Sequence, residues 1–264
     1  MRKIIFFIIT MIILFACSTV PITGRRTINL IPSNQINSMS FQQYDSFLKS
    51  NNVSSPKKQS YLVKKVGRKI QKAVEEYFKQ KGISDKLNGY EWEFNLVESD
   101  EVNAWCMPGG KVVVYTGILS ITKDETGLAV VMGYEIAHAI AGHSNERMSQ
   151  GMIAQFGGMA LAKALEEKPA KTQQLWMTTS GVGSQFGVML PFSRMHESEA
   201  DHLGLIFMAM AGYNPAKAVD FWQRMADMKG GQAPPEFLST HPADATRIRD
   251  LKALLPESLT YYKK

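Results

Sequence analysis

Cysteine is nearly absent from this sequence, which contains only Cys17 and Cys106 among its 264 residues. A framework of several disulfides, the usual support of small secreted domains, is therefore excluded. Charge of one sign is also scarce, because 30 lysines and arginines stand against 24 aspartates and glutamates, a formal net charge of +6. No nucleic-acid-binding motif accompanies this mild excess, so nucleic acid is not an expected partner. With 45% hydrophobic residues, the chain is expected to bury one core in one main domain.

The sequence also lacks a hydrophobic run long enough to cross a membrane. The run Ile4–Ala16 is shorter than the roughly 20 residues of a spanning helix, and it follows Arg2 and Lys3. This pattern is typical of a secretory signal. The run closes with Leu14-Phe15-Ala16-Cys17, which resembles a bacterial lipobox, in which the cysteine is acylated and becomes the mature N-terminus. The alternative is an uncleaved N-terminal anchor helix, and in both cases the rest of the chain is exported.

We therefore expect lipid on Cys17 to hold the protein at the membrane of the cell envelope. Ser18 follows Cys17 and no acidic run comes after it. By resemblance to bacterial lipoproteins, this implies anchoring in the outer membrane on its periplasmic side. An acylated Cys17 leaves Cys106 without a partner, so no internal disulfide is expected.

The chain is predicted to have three parts. Residues 1–16 form the signal peptide. Residues 17–55 are polar and rich in serine, asparagine and glutamine, and are expected to be a lipid-anchored tether and docking segment. Residues 56–264 are expected to form the folded domain.

Local patterns predict the elements at the start of this domain. Apolar residues recur at helical spacing up to a stop signal at Gly82, namely Leu62, Val63, Val66, Ile70 and Val74. A strand is expected over Trp92–Val97, and a second one, paired with it, over Lys111–Thr116 after a Pro-Gly-Gly turn. Beyond these strands the pattern becomes helical, first with Leu128, Met132, Ile136 and Ile140. Further helices are predicted over about 145–165, 172–186, 193–210, 215–228 and 242–254. The predicted class is mostly α with a small β-sheet.

A candidate catalytic motif lies in the first of these later helices. In Gly133-Tyr134-Glu135-Ile136-Ala137-His138 the spacing is that of the zinc-protease motif His-Glu-x-x-His, with tyrosine in its first position. Residues four apart share one face of a helix, so two ligands there point at one metal while the glutamate reaches a bound water. Alone, such a segment is also typical of an ordinary helix.

A second group of acidic residues lies about sixty residues downstream. Glu197 can complete a zinc site as a further ligand, and Asp201, one turn later, can accept a hydrogen bond from a ligand imidazole. The alternative is a charged first turn of a helix, favoured by the helix dipole.

Together these segments resemble metallopeptidase family 48, the HtpX-like zinc endopeptidases, in an exported lipoprotein form. The resemblance covers the chain from about residue 56 onward. It is carried by Asn103-Ala104-Trp105 with Pro108-Gly109-Gly110, Tyr115-Thr116-Gly117, Glu135-Ile136-Ala137-His138 with His143, Ser193-Arg194 with Glu197 and Ala200-Asp201, and Ser239-Thr240-His241-Pro242 with Arg247. It implies a zincin-like fold with an active-site helix and an edge strand.

The resemblance also implies roles for individual residues. Glu135 would be the general base, His138 and Glu197 would bind one zinc ion, and Asp201 would support the site from outside the ligand shell. His241 would lie near the metal as an extra ligand, a regulatory plug or a transition-state contact. The alternative for His241 is a structural position before a helix that starts at residue 242.

A substrate-binding strand is expected beside this site. An edge strand can hydrogen-bond the backbone of an extended peptide without reading much of its sequence. The strand proposed for this role consists of Lys111, Val112, Val113, Val114 and Tyr115. The alternative is a strand of a core hairpin, and the two roles are compatible on alternate faces of the strand.

Tyr134 is the departure from the family pattern, which has histidine there. A phenol must lose a proton from a pKa near ~10 before it is a good ligand. Three outcomes follow from this tyrosine. Tyr134 binds zinc as a phenolate, or His241 completes the metal shell in its place, or the metal site stays empty. The expected function is a zinc-dependent endopeptidase that cuts unfolded or misassembled envelope proteins. The alternative is a pseudoprotease that binds such proteins without cutting them.

One further stretch, from Met148 to Met189, is rich in methionine and glycine. A membrane-embedded reading is disfavoured because charged residues interrupt the stretch. We expect helical packing or a mobile cover over the active site, with methionine filling irregular gaps.

Overall fold

The computed structural model describes residues 17–53, 57–185, 189–228 and 244–263. The strands are β1 (Cys17–Thr19), β2 (Arg26–Ile28), β3 (Glu93–Val97), β4 (Ala104–Met107) and β5 (Lys111–Tyr115). The helices are α1 (Ser33–Ser50), α2 (Lys57–Gln80), α3 (Leu119–Thr122), α4 (Glu125–Ile140), α5 (His143–Ala164), α6 (Ala170–Ser184), α7 (Leu190–Met210), α8 (Lys217–Met228) and α9 (Asp244–Thr260). Short 3₁₀ turns lie at Ser84–Leu87 and Thr116–Ile118. The predicted class, mostly α with a small β component, is confirmed.

Helix α4 runs through the centre of the core. The Asp124 side chain caps its N-terminus by accepting a hydrogen bond of 2.8 Å from the Gly127 N–H. Its sequence is apolar around most of its circumference, which is typical of a helix buried on all sides. Leu128, Met132 and Ile136 are fully buried. The helix ends just before Gly142, whose positive φ of 74° turns the chain into α5.

Helices α4 and α7 cross with their backbones in contact. A Cβ atom on Gly204 would lie 3.0 Å from the Cα and backbone N of Tyr134, and one on Gly133 would lie 3.0 Å from the Gly204 carbonyl oxygen. Two glycines are needed because only hydrogen fits between the helices at this point. Glu197 lies two helical turns before Gly204, on the same side of α7. The crossing therefore brings Glu197 against the face of α4 that carries Tyr134 and His138.

The larger sheet has the strand order β3-β5-β4. Strand β5 pairs in parallel with β3 and antiparallel with β4. The predicted pairing of the strand at Trp92–Val97 with the strand at Lys111–Thr116 is therefore confirmed. The prediction that Lys111–Tyr115 is an edge strand is wrong, because β5 is hydrogen-bonded on both sides and Val112, Val113 and Val114 are fully buried. The turn at Gly109 and Gly110, both at positive φ, folds β4 back along β5, so β4 forms one edge of the sheet and β3 the other.

Packed structure begins upstream of the expected domain start at residue 56. Strands β1 and β2 form a two-stranded sheet, and α1 buries Ile36, Ser40 and Tyr44 at intervals of four. The Tyr44 hydroxyl accepts a hydrogen bond of 3.0 Å from Asn95 on β3. The stretch expected to be a tether and docking segment therefore contributes side chains to the core.

Helices α5 and α6 carry an exposed apolar surface. Ile153, Phe156 and Met159 on α5, with Leu175 and Trp176 on α6, are each 50–65% exposed. The bounds of α5 and α6 lie within two residues of those of the predicted helices 145–165 and 172–186. None of the helices in the described part of the chain is both long and apolar enough to cross a membrane.

Candidate metal centre

The three motif residues of α4 line one cavity. Tyr134 and His138, one turn apart, place their ring centroids 4.7 Å from each other, and Glu135 opens into the same cavity of about 490 Å³. The edge strand contributes Ala104 and neighbouring residues to its wall. The cavity therefore joins the motif to one edge of the larger sheet.

Glu197 reaches the same cavity from α7. Its Oε1 lies 3.5 Å from His138 Nε2, and both residues are more than 90% buried. Two ligands of a tetrahedral zinc ion, each ~2.0–2.2 Å from the metal, lie about 3.4 Å from one another. His138 and Glu197 therefore fit as two ligands of one divalent ion, and the structure places them beside Glu135.

Position 134 supplies a phenol where the motif has an imidazole. The Tyr134 hydroxyl donates a short hydrogen bond to Glu197 Oε2. Burial raises the pKa of Tyr134 well above its ordinary value, and the carboxylates of Glu197 and Glu135 add to this effect. The phenol is therefore a protonated donor at neutral pH. Among the described residues, no group of three or more histidine, cysteine, aspartate or glutamate side chains is arranged to hold a metal ion.

The carboxyl group of Glu135 is strongly perturbed. Burial raises its pKa to about 8, with a second contribution from the negative charge of Glu197. A carboxyl group with such a pKa exchanges a proton near neutral pH, which is what a general base and acid needs.

Within the part of the chain that the structure describes, Asp201 binds an arginine and not an imidazole. Its two carboxylate oxygens accept hydrogen bonds of 2.8 Å and 2.7 Å from Nε and Nη2 of Arg247 on α9. The predicted imidazole partner is thus corrected, because the planar guanidinium occupies both oxygens. Arg247 also lies with its guanidinium carbon 3.2 Å from the Trp222 ring centroid and 4.5 Å from that of Tyr134. Its Nη1 is 3.9 Å from Glu197 Oε2, so a buried cation stands next to the carboxylate that faces the cavity.

Behind His138 lies a second imidazole that sequence reasoning named but gave no role. His143, at the start of α5, places its Nδ1 2.8 Å from His138 Nδ1 and its Nε2 3.0 Å from Glu199 Oε2. Burial lowers the pKa of His143 to about 4 and that of His138 well below its ordinary value. Both rings are therefore neutral at pH 7.

Arg25 joins two carboxylates behind the histidines. It donates to Glu199 at 2.7 Å and 2.9 Å and to Glu146 at 2.8 Å and 3.0 Å. Glu146 Oε2 also lies 2.9 Å from His196 Nε2, and the His196 ring stacks on that of His143 with centroids 4.2 Å apart. Burial alone would raise the pKa of each carboxyl group. Hydrogen bonds from the histidines and Arg25 outweigh burial and lower both pKa values to about 2.

Sequence reasoning missed Arg25, Glu146, His196 and Glu199. Glu199 shares the acidic run with Glu197, and Glu146 follows His143 by one helical turn, so both carried a weak local signal. Arg25 carried none, since more than 100 residues separate it from its partners.

Two of the predicted site residues are described only in part or not at all. His241 lies outside the described residues, and for Cys17 only the backbone within β1 is described. Of the proposed substrate strand, Tyr115 is partly exposed, while the Lys111 amine lies over the Phe41 ring at 4.7 Å.

The sequence is similar to a known peptidase family and to several curated proteases. The sequence model of peptidase family M48 matches residues 64–255. The mitochondrial metalloendopeptidase OMA1 of Schizosaccharomyces pombe is 37% identical over 67% of this chain and 49% of its own length. OMA1 of Saccharomyces cerevisiae is 32% identical over 73% of this chain and 56% of its own. The beta-barrel assembly-enhancing protease of Escherichia coli is 28% identical over 61% of this chain and 34% of its own.

The chain thus spans about half the length, or less, of these curated relatives. The family match nevertheless covers most of the chain, including both helices that carry the cavity. The matched range includes Glu135 and His138 on α4 and Glu197 on α7, which the fold brings to one cavity. This chain belongs to peptidase family M48.

Proposed function

We propose that this protein is a zinc-dependent endopeptidase that cuts unfolded or misassembled proteins of the cell envelope. One observation carries the proposal. The imidazole of His138 and the carboxylate of Glu197 face each other at 3.5 Å, beside the half-buried Glu135 and strand β4.

His138 and Glu197 would hold the metal, and the third protein ligand would come from Tyr134 as a phenolate or from His241. When bound, zinc lowers the pKa of a coordinated water towards neutrality, polarises the scissile carbonyl and neutralises the charge of Glu197. Because burial raises the pKa of Tyr134, we expect a phenolate ligand to bind zinc more weakly than histidine.

The protein's own groups supply the remaining chemistry. Glu135 takes the proton of the attacking water on its carboxylate and then donates it to the leaving amine. Within the described part of the chain, the outer side of β4 is unpaired along the cavity. We infer that an extended peptide adds there as a further strand through main-chain hydrogen bonds. Recognition through the main chain favours unfolded substrates, since only an exposed, extended segment can pair in this way.

The location is supported by the N-terminal sequence. The hydrophobic run before Cys17 favours export and lipid attachment at that residue. One bacterial relative carries the name beta-barrel assembly-enhancing protease, which supports a role on misassembled envelope proteins. The proposed anchor in the outer membrane, facing the periplasm, rests on the residues that follow Cys17, where Ser18 comes first and no acidic run follows.

The test is cleavage of unfolded casein by the mature protein, with metal content measured on the same preparation. We expect bound zinc, cleavage that stops with a chelator, and a loss of roughly 100-fold or more in Glu135→Gln. Glu167→Gln, which alters an exposed carboxylate in the turn after α5, is the matched control and should cut like the natural chain. Cleavage by Glu135→Gln at the natural rate would refute the mechanism.

A second candidate function is a peptide-binding protein without catalysis. The hydrogen bond from the Tyr134 hydroxyl to Glu197 favours it, because it satisfies a carboxylate oxygen that a metal would otherwise use. This function predicts that the natural chain holds unfolded casein with micromolar affinity, measured by fluorescence anisotropy, and cuts none of it. Cleavage that Glu135→Gln abolishes would eliminate this candidate.

A further inference from the structure

The side of His138 that faces away from the cavity is backed by a continuous chain of hydrogen bonds. His138 Nδ1 lies 2.8 Å from His143 Nδ1, and His143 Nε2 lies 3.0 Å from Glu199 Oε2. Arg25 Nη2 and Nε lie 2.7 Å and 2.9 Å from that same oxygen. The two imidazoles and the carboxylate are each less than 10% exposed. Water therefore does not compete for these hydrogen bonds.

The positions of the protons follow from the Arg25 end of the chain. A guanidinium has only donors, so the Glu199 carboxylate beside it is ionised and acts as an acceptor. His143 Nε2 must then carry the hydrogen that is donated to Glu199. His143 is fully buried between the His138 ring and the stacked ring of His196, an environment that disfavours a charged imidazolium, so it carries this one hydrogen. His143 Nδ1 is then an acceptor, and His138 Nδ1 carries the next hydrogen. His138 Nε2 is left with a lone pair, directed towards the cavity.

This lone pair faces a carboxylate oxygen at 3.5 Å. Two acceptors that face each other across this distance repel, unless a donor or a cation lies between them. The arrangement is thus the one that a metal ligand requires, and it is imposed from outside the cavity.

We propose that Arg25, acting through Glu199 and His143, holds His138 in the Nδ1–H tautomer that leaves Nε2 free to bind a metal. Arg25 is then a positioning residue of the active site. The proposal rests on the proposed function, because it takes His138 as a metal ligand.

Arg25 is itself held from several sides. Its guanidinium is forked between Glu199 and Glu146, and the Thr23 hydroxyl donates to the other oxygen of Glu199. Glu146 is held in turn by His196, whose ring stacks on that of His143. Thr23 and Arg25 belong to the segment that links β1 to β2. This link lies within residues 17–55, the predicted lipid-anchored tether, which therefore completes the support of the proposed metal ligand.

The test reads the tautomers directly. The mature protein is labelled with ¹⁵N-histidine, and long-range ¹H–¹⁵N correlation spectra are recorded at pH 7 with a chelator present. The protein contains five histidines, so individual rings are assignable by single substitutions. We expect the hydrogen of His138 on Nδ1 and that of His143 on Nε2. We expect Arg25→Ala to convert a large part of His138 to the Nε2–H form, while the control Arg26→Ala at the exposed neighbouring residue changes neither ring.

Two substitutions of His143 keep the proposal testable if Arg25→Ala does not fold. His143→Asn retains an acceptor near the position of Nδ1 and should preserve the Nδ1–H form of His138. His143→Leu removes that acceptor and should release His138 to the Nε2–H form.

Three results would overturn the proposal. They are an Nε2–H form of His138 in the natural chain, a doubly protonated His143 at pH 7, and unchanged tautomers in a folded Arg25→Ala or His143→Leu. The spectra need neither metal nor substrate, so a failure here is distinguishable from a failure of the casein assay.

Discussion

Replacing Tyr134 by histidine should convert a hydrogen-bonded phenol into a metal ligand. In the metal-free protein the replacement has a cost. It removes the hydrogen bond to Glu197, and it weakens the ring contact with Trp222, whose centroid lies 5.6 Å from that of Tyr134. A hydrogen bond to a charged group contributes about 1.5–3 kcal/mol, and an aromatic pair adds about 0.5–1.5 kcal/mol. We therefore expect Tyr134→His to lower the free energy of unfolding by about 2–4 kcal/mol in the presence of a chelator.

Zinc should reverse this loss in the variant. A ligand at 100 times its dissociation constant stabilises the folded state by about 2.7 kcal/mol, and one at 1,000 times by about 4 kcal/mol. Excess zinc should therefore restore most of the stability of Tyr134→His. The natural chain should gain less at the same zinc concentration, because its phenol must first ionise.

The assay is urea unfolding followed by tryptophan fluorescence, with and without zinc, together with the zinc content of the dialysed protein. Tyr61→His is the matched control, since it adds a histidine at a side chain of α2 that is 69% exposed. Equal zinc content and equal zinc-dependent stabilisation in the natural chain and in Tyr134→His would refute the assignment of position 134 to the metal shell.

Three further predictions concern stability. Gly204→Ala should lower the free energy of unfolding, measured by urea titration, by about 1–3 kcal/mol, because the new Cβ would press on the backbone of Tyr134. The control Gly158→Ala on α5, where a Cβ would meet no atom within 4 Å, should be neutral or stabilising in the same titration. Arg247→Ala should lower the free energy of unfolding by about 3–5 kcal/mol, because it leaves the buried Asp201 without its arginine partner. The control Arg249→Ala, at an exposed site, should change the unfolding midpoint little. The pKa of Glu146 is about 2 in the folded state against 4.5 ordinarily, so its ionised form stabilises the fold above pH 4.5, by about 3 kcal/mol, and this contribution is lost as the pH falls towards 2. The stability difference between the natural chain and Glu146→Gln, measured by urea unfolding, should therefore shrink by about 2 kcal/mol between pH 6 and pH 3; a constant difference would contradict this explanation.

Elements with a strong local pattern were predictable. Helix α2 shows apolar residues at regular helical spacing, and α4 is apolar enough to be recognised as a core helix. Helix α1 was missed because two of its buried positions, Asn37 and Ser40, are polar, so its inner face does not stand out in the sequence. Its place in the fold depends on partners such as Asn95 on β3, which the local sequence does not reveal.

The order of the strands in the larger sheet could not be predicted from the sequence either. The residues of β5 are typical of any buried strand, whether it lies at the edge or in the centre of a sheet. Its central place follows from pairing with both β3 and β4. The peptide-binding strand in the proposed function is therefore β4 and not β5.

By itself, the sequence determined the family and the helical class, and it predicted the motif residues Glu135, His138 and Glu197. These depend on fixed spacings along one helix and on short segments in order. Only the tertiary structure decided that Tyr134 binds Glu197, that Arg247 takes both oxygens of Asp201, and that Arg25 supports His143 through Glu199. The physical reason is that a buried charge must find its partner in space, and the fold supplies that partner from any distance along the chain.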